Sequence, residues 1–223
     1  MNWQNILFSL PGVILGLTFH EFCHAMTANL LGDHTARDQG RLSFNPLKHI
    51  DPIGFLFLIF AGFGWAKPVQ FNPNNLKNYR RDKALIAAAG PLSNFLFVLI
   101  LVLLVKGYLY LITYFRLSGN LDAFMILKSE GFNFAFLFFI FAILRNLGLF
   151  VFNLIPLPPL DGSHIFLSGL NLRPETEYRI MRIGGPLLFL IIIIQNYAKI
   201  EILPIGRLTM AILYFFIPEL KSF

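Results

Sequence analysis

From Ile6 to Leu31 the only formal charge is Glu21, and everything else about the fold has to accommodate that run. A bilayer core of about 30 Å is crossed by roughly 20 apolar residues in a helix, whereas a barrel strand needs only about ten. The run is therefore predicted to be a membrane-spanning helix, with its backbone groups satisfied internally. Composition points the same way. Hydrophobic residues make up 56% of the 223-residue chain and charged ones 13%, about half the charged share of a soluble domain.

The remaining apolar runs predict the architecture. Gly54–Gly64 is apolar but too short to cross, and reads as a re-entrant or interfacial segment. Residues 32–53 and 67–83 are polar and carry turn signals such as Asn45-Pro46 and Asp51-Pro52. A second span is expected over 84–105, then a mixed loop to about Gly131. A third span runs from about Phe132 to the break at Pro156-Leu157-Pro158-Pro159, and 161–185 is polar again. Shorter apolar runs at 187–197 and 203–218 supply two more crossings. The expected fold is an all-α polytopic membrane protein of five to six spans. It forms one domain over 1–223, with a core at 6–165 and accessory spans at 186–218.

Charge sets the expected orientation. The net charge is +6, but the Lys and Arg sit mainly in loops, where they orient the chain and meet anionic headgroups. No nucleic-acid partner is implied. The loop 32–83 holds eight of them (Arg37, Arg41, Lys48, Lys67, Lys77, Arg80, Arg81 and Lys83), against three in 106–131. By the positive-inside rule the basic loop is cytoplasmic and the N-terminus outside, in a protein expected in the plasma membrane. The N-terminal Met1-Asn2-Trp3-Gln4-Asn5 has no basic region or cleavage signature and is read as retained. Cys23 is the only cysteine, so no disulfide framework exists.

Ionisable groups within a span point to function. The first span carries His20, Glu21 and His24, reading H-E-F-C-H. Positions i and i+4 share a helix face with Cβ atoms about 5–6 Å apart, so both imidazoles can reach one Zn²⁺ at about 2.0–2.1 Å. Glu21 is placed to take a proton from metal-activated water. His20 lies about 16 Å from Leu31 at 1.5 Å per residue, so water has to reach a site inside the membrane. A catalytic zinc site needs a third protein ligand; Asp161 and His164, just past the third span, are the candidates. His34 and His49 read as ordinary loop residues, and Cys23, offset from the histidine face, as packing. Gly12 and Gly16 form a GxxxG, a possible site of close helix contact.

These motifs resemble the site-2 protease family of intramembrane zinc metalloproteases. The resemblance rests on His20-Glu21-Phe22-Cys23-His24 paired with Asn153-Leu-Ile-Pro-Leu-Pro-Pro-Leu-Asp161-Gly162. It extends through Gly40–Gly54, Trp65-Ala-Lys-Pro-Val69 and Ala89-Gly-Pro-Leu-Ser-Asn94, over most of 12–165. It implies that Asp161 is the third zinc ligand and that Asn153 helps hold the substrate or its tetrahedral intermediate. It places Asn94 near the substrate path, with Asn146 a weaker substrate-binding candidate. It also implies a small re-entrant β-hairpin region between the first and second spans, whose strand edge could receive an extended substrate. The expected substrates are single-span membrane proteins or remnant signal segments. The stretch 106–131 is too short for a PDZ insertion, and no nucleotide-sensing domain is evident, so the chain matches a short form of the family. The competing reading is a metal or proton transporter using the same His/Glu/Asp cluster, although transporters usually spread polar groups over repeated halves.

Overall fold

A computed structural model of the chain describes residues 3–61, 64–170, 172–198 and 200–222. The described residues are mostly helical. The helices are α1 (Trp3–Leu30), α2 (Thr35–Asp38), α3 (Pro52–Ala61), α4 (Tyr79–Leu117), α5 (Leu121–Leu127), α6 (Glu130–Asn153), α7 (Asp161–Gly169), α8 (Pro174–Ala198) and α9 (Ile205–Phe216). Of these, α4 and α6 are each long and apolar enough to cross a bilayer. Lipid offers no hydrophobic drive for helices to associate, so close packing and interhelical hydrogen bonds hold such a bundle together.

α1, α4 and α6 pack on one another, α7 lies against α4, and α9 covers α6. Val98, Leu101, Val102 and Val105 of α4 interlock with Ala142, Ile143 and Leu147 of α6 and with Leu213 of α9. The GxxxG motif of α1 serves the close approach expected of it. A Cβ on Gly12 would lie 2.7 Å from Ala142 Cβ, and one on Gly16 would overlap the Asn146 side chain. The glycines let the α1 backbone sit directly against α6.

Several boundaries differ from the hydropathy reading. α4 starts at Tyr79, ahead of the apolar run, because its cap is built from polar residues. Asn78 Oδ1 accepts from the Arg81 N–H at 3.2 Å, and Asp82 Oδ2 accepts from the Asn78 N–H at 2.9 Å, a reciprocal cap. Gly90 and Pro91, near the start of the expected second span, thus lie well inside α4. The helix also continues to Leu117, so much of the expected loop 106–131 is helical, with α5 and the start of α6 taking most of the rest. The polar stretch 161–185 is helical too: α7 fills its first part, and α8 begins at Pro174 with Glu175 and Glu177 in its first turn. Acidic groups there favour the helix N-terminus.

The expected β-hairpin region is not a hairpin among the described residues. Pro52–Ala61 is helix, residues 62–63 lie outside the description, and the strand-like pairing is a single bridge between Ile50 and Ala66. The segment from Trp65 onward is extended but pinned at intervals. The Lys67 N–H donates to His49 O at 2.8 Å, and Arg41 Nη2 donates to Lys67 O at 2.5 Å. Farther on, the buried Asp33 carboxylate accepts from the Asn72 N–H and from Asn75 Nδ2, both at 2.8 Å, and from Thr35 Oγ1 at 2.6 Å. His49 Nε2 donates to Ser43 O of its own loop at 2.7 Å, and His34 bonds Asn29. Neither belongs to the His20, His24 and Asp161 cluster.

Candidate metal centre

His20 and His24 lie one turn apart on α1, and Asp161 reaches them from the start of α7. Pro156 and the Pro158-Pro159 pair end α6 and turn the chain, because proline blocks helix continuation through itself and its predecessor. Gly162 permits the turn to close, since a Cβ there would collide with the backbone of Leu154 and Ile155. Asp161 is thereby delivered to the face of α1 that carries the histidines.

The three groups meet at one point. His20 Nε2 is 3.0 Å from His24 Nε2 and 3.0 Å from Asp161 Oδ2, and His24 Nε2 is 3.4 Å from Asp161 Oδ1. Two ligands held at 2.0–2.1 Å by a tetrahedral ion stand about 3.3–3.4 Å apart, close to these spacings. Hydrogen bonding tests the fit further. His24 Nδ1 donates to the main-chain oxygen of Ile86 at 2.7 Å, and His20 Nδ1 donates to Asn94 Oδ1 at 2.7 Å. A neutral imidazole has one N–H, so both Nε2 atoms are bare acceptors. Two bare nitrogens and a carboxylate then converge with no donor among them, and Asp161 Oδ2 is buried without a hydrogen-bond partner. A divalent cation supplies what the group lacks, and the residues fit Zn²⁺.

α4 leaves room for that ion. A Cβ on Gly90 would lie 2.6 Å from His20 Nε2 and closer still to His24 Nε2. Pro91 cannot donate into the preceding helical turn; such breaks are tolerated at membrane depth where neighbours satisfy the backbone. Gly90 and the Ile86 carbonyl are site components to which the motifs gave no role. The first had a signal in the Gly-Pro step, while the second is main chain and has none.

A cavity of about 430 Å³ opens on the metal point, with Leu17, Leu149, Phe152, Pro159 and Leu160 on its apolar walls. Glu21 borders it, 7% exposed, and its Oε2 accepts from the Val69 N–H at 2.9 Å. The extended segment at 65–69 thus borders the cavity, and its Val69 N–H touches the carboxylate expected to be the base. Asn153 also lines the cavity, with Nδ2 donating to Leu149 O at 3.0 Å in its own helix.

The other candidates are placed differently. His164 lines the cavity with a buried, unpartnered Nδ1, but it is outside the three-residue cluster. Asn94 and Asn146, expected near the substrate, are fully buried behind the histidines and do not line the cavity. Asn94 holds His20, and Asn94 Nδ2 donates to Asn146 Oδ1 at 3.0 Å. Their short polar side chains bridge three helices because amide groups buried away from water have to find partners inside the protein. Cys23 is a half-buried free thiol outside the cluster, consistent with packing.

A helical chain with an H-E-x-x-H zinc site completed by a carboxylate from another helix belongs to the metallopeptidase class. Comparison makes it specific: the model of peptidase family M50 matches residues 8–192, and the chain belongs to that family, the site-2 proteases anticipated from the motifs. It is 41% identical over 153 residues to YwhC of Bacillus subtilis, provisionally named a zinc metalloprotease, covering 69% of this chain and 64% of that protein. It is 30% identical over 173 residues to Rip2 of Mycolicibacterium smegmatis, also provisionally named a zinc metalloprotease, covering 75% of this chain and 58% of the relative. The chain thus spans about three-fifths of the length of these relatives. No solved structure matches it. Nothing in these similarities supports the transporter reading.

Proposed function

We propose that this chain is an intramembrane zinc endopeptidase that hydrolyses peptide bonds of membrane-spanning substrates. The observation that carries the reading is the convergence of His20 Nε2, His24 Nε2 and Asp161 with no donor among them, beside Glu21 and an apolar cavity. Zinc bound there would polarise the scissile carbonyl and bring the pKa of a coordinated water down to about 7. Glu21 accepts the proton of the attacking water and passes it to the departing amine. The Asn153 amide, on the cavity wall, donates to the oxygen that becomes negative. A donor so placed in a dry site contributes about 2.7–4 kcal/mol to barrier lowering. Apolar walls keep bulk water from competing for these groups.

The remaining features belong to the same proposal. α1, α8 and α9 cross the membrane together with α4 and α6, giving five spans in one unit. The basic segment around 32–83 faces the cytoplasm, the N-terminus is outside, and the cavity opens inward in a plasma-membrane protein. Substrates are single-span proteins or remnant signal segments.

The test uses detergent-purified full chain and a model single-span substrate. One zinc per chain and cleavage are expected. Glu21→Gln should keep its zinc while cleavage falls by about 10²–10⁴-fold, the usual range for a general base. A mutant that cuts at the wild-type rate, or wild-type protein that takes up no zinc, sinks the proposal.

A further inference from the structure

Two of the buried amides do more than fill space. Asn94 and Asn146 have no exposed surface, so their hydrogen-bonding groups are satisfied by protein alone. Asn146 Nδ2 lies 3.1 Å from Gly12 O and 2.9 Å from Ala142 O. Both are main-chain carbonyls, which only accept, so the NH₂ of Asn146 must face them and its Oδ1 must face away. That oxygen lies 3.0 Å from Asn94 Nδ2, which is also 3.0 Å from the Gly16 carbonyl. The NH₂ of Asn94 is thereby fixed in turn, and its Oδ1 faces His20 Nδ1 at 2.7 Å. An amide oxygen cannot donate, so the imidazole proton must sit on Nδ1. The nitrogen left bare is Nε2, the one aimed at Asp161 and His24.

We propose that Asn146 is a positioning residue that, through Asn94, sets the tautomer of His20 and so keeps its metal-facing nitrogen free. The polarity runs in one direction, from three backbone carbonyls through two amides to one imidazole. Reversing Asn94 would set its oxygen against the Gly16 carbonyl and against Asn146 Oδ1, and would put a proton on Nε2 where the ion belongs. Gly16 is part of the device, because a Cβ there would occupy the place of the Asn146 oxygen. His24 needs no such relay; a single backbone carbonyl, Ile86 O, fixes it directly. Neither asparagine reaches the cavity, so the arrangement acts on the metal ligand rather than on substrate.

The inference rests on the zinc reading for its purpose but not for its test. Nitrogen-15 NMR of the full chain, selectively labelled at histidine and stripped of metal, reads the His20 tautomer directly. The Nδ1–H form is expected in wild type, and an Nε2–H form there overturns the proposal without any mutant. Asn146→Leu keeps the branched shape and removes one of the two acceptors that hold the Asn94 NH₂ in place, the Gly16 carbonyl being the other. It is expected to mix the His20 tautomers and weaken zinc binding by about 10–100-fold in chelator competition, as loss of an outer-sphere partner does. Adding Asn94→Asp to that variant should restore the Nδ1–H form, because a carboxyl group protonated toward the Gly16 carbonyl keeps its other oxygen as an acceptor for His20. Wild-type zinc affinity and tautomer in Asn146→Leu, or a double variant no better than the single one, refutes the relay. If wild type shows the Nδ1–H form yet takes up no zinc, the metal reading fails and the relay stands.

Discussion

Replacing Gly90 with alanine separates the metal site from the helix that flanks it. The new Cβ would lie 2.6 Å from His20 Nε2 and nearer to His24 Nε2. Ordinary carbon–nitrogen contact begins near 3.4 Å, so the His20 and His24 imidazoles would have to retreat by about 0.8 and 1.0 Å, several times the roughly 0.2 Å tolerance of ligand distances in a metal site. Loss of an outer-sphere partner alone costs up to about 100-fold in affinity. Displacing two ligands should cost at least that, or about 2.8 kcal/mol at 1.4 kcal/mol per decade. With free zinc at 100 times the wild-type Kd, the metal stabilises wild type by about 2.7 kcal/mol, and the variant by only about 0.4. Alanine is meanwhile the better helix former by about 1 kcal/mol, so the helix itself is not weakened. Gly107→Ala, in the same helix with nothing near its Cβ, supplies the comparison. Thermal unfolding of both variants with and without zinc is the assay. If Gly90→Ala keeps the full zinc-dependent stabilisation shown by Gly107→Ala, Gly90 is not the space the ion needs.

Other expectations follow from the same geometry. Asp161→Asn should lower zinc content sharply, while His164→Leu should leave one zinc per chain by metal analysis; the opposite pattern would make His164 the third ligand. The pH dependence of the pinned extended segment should trace to Asp33. Burial pushes its pKa up, but hydrogen bonds from Thr35, Asn75 and Asn72 outweigh that and hold it below the ordinary carboxylate value. A depressed native pKa stabilises above the unfolded value, so this anchor is at full strength above about pH 4 and fades as acid titrates the folded group. Hydrogen exchange at 64–76 should accelerate in that window and show no such step in Asp33→Asn.

The chemistry was more legible in the sequence than the helix boundaries were. His20, Glu21 and His24 stand out because charge is rare in an apolar run, and Asp161 because a proline-rich break precedes it. Hydropathy finds apolar stretches, and helices do not end where hydropathy falls. α4 begins in Tyr79-Arg80-Arg81-Asp82-Lys83, where Asn78 and Asp82 cap it, a signature available in the sequence but masked by its polarity. The positions of Asn94 and Asn146 were less accessible still. An asparagine in a span reads equally as a substrate contact or a helix clasp, and only the packing of α1 between α4 and α6 decides. The Val69 N–H that Glu21 holds is main chain from a segment whose register no side-chain pattern fixes.

The length of α4 bears on how much of a substrate has to be undone. Its 39 residues measure about 58 Å at 1.5 Å per residue. Even a 40° tilt accommodates only about 39 Å of helix in a 30 Å core, so a substantial part of it projects beyond the lipid. Gly90 lies seven residues, about 10 Å, from the charged turn at Arg80–Lys83. An extended chain covers that distance in about three residues. On the proposed function, a helical substrate that enters from the Arg80–Lys83 end would have to fray at its end rather than melt at its middle.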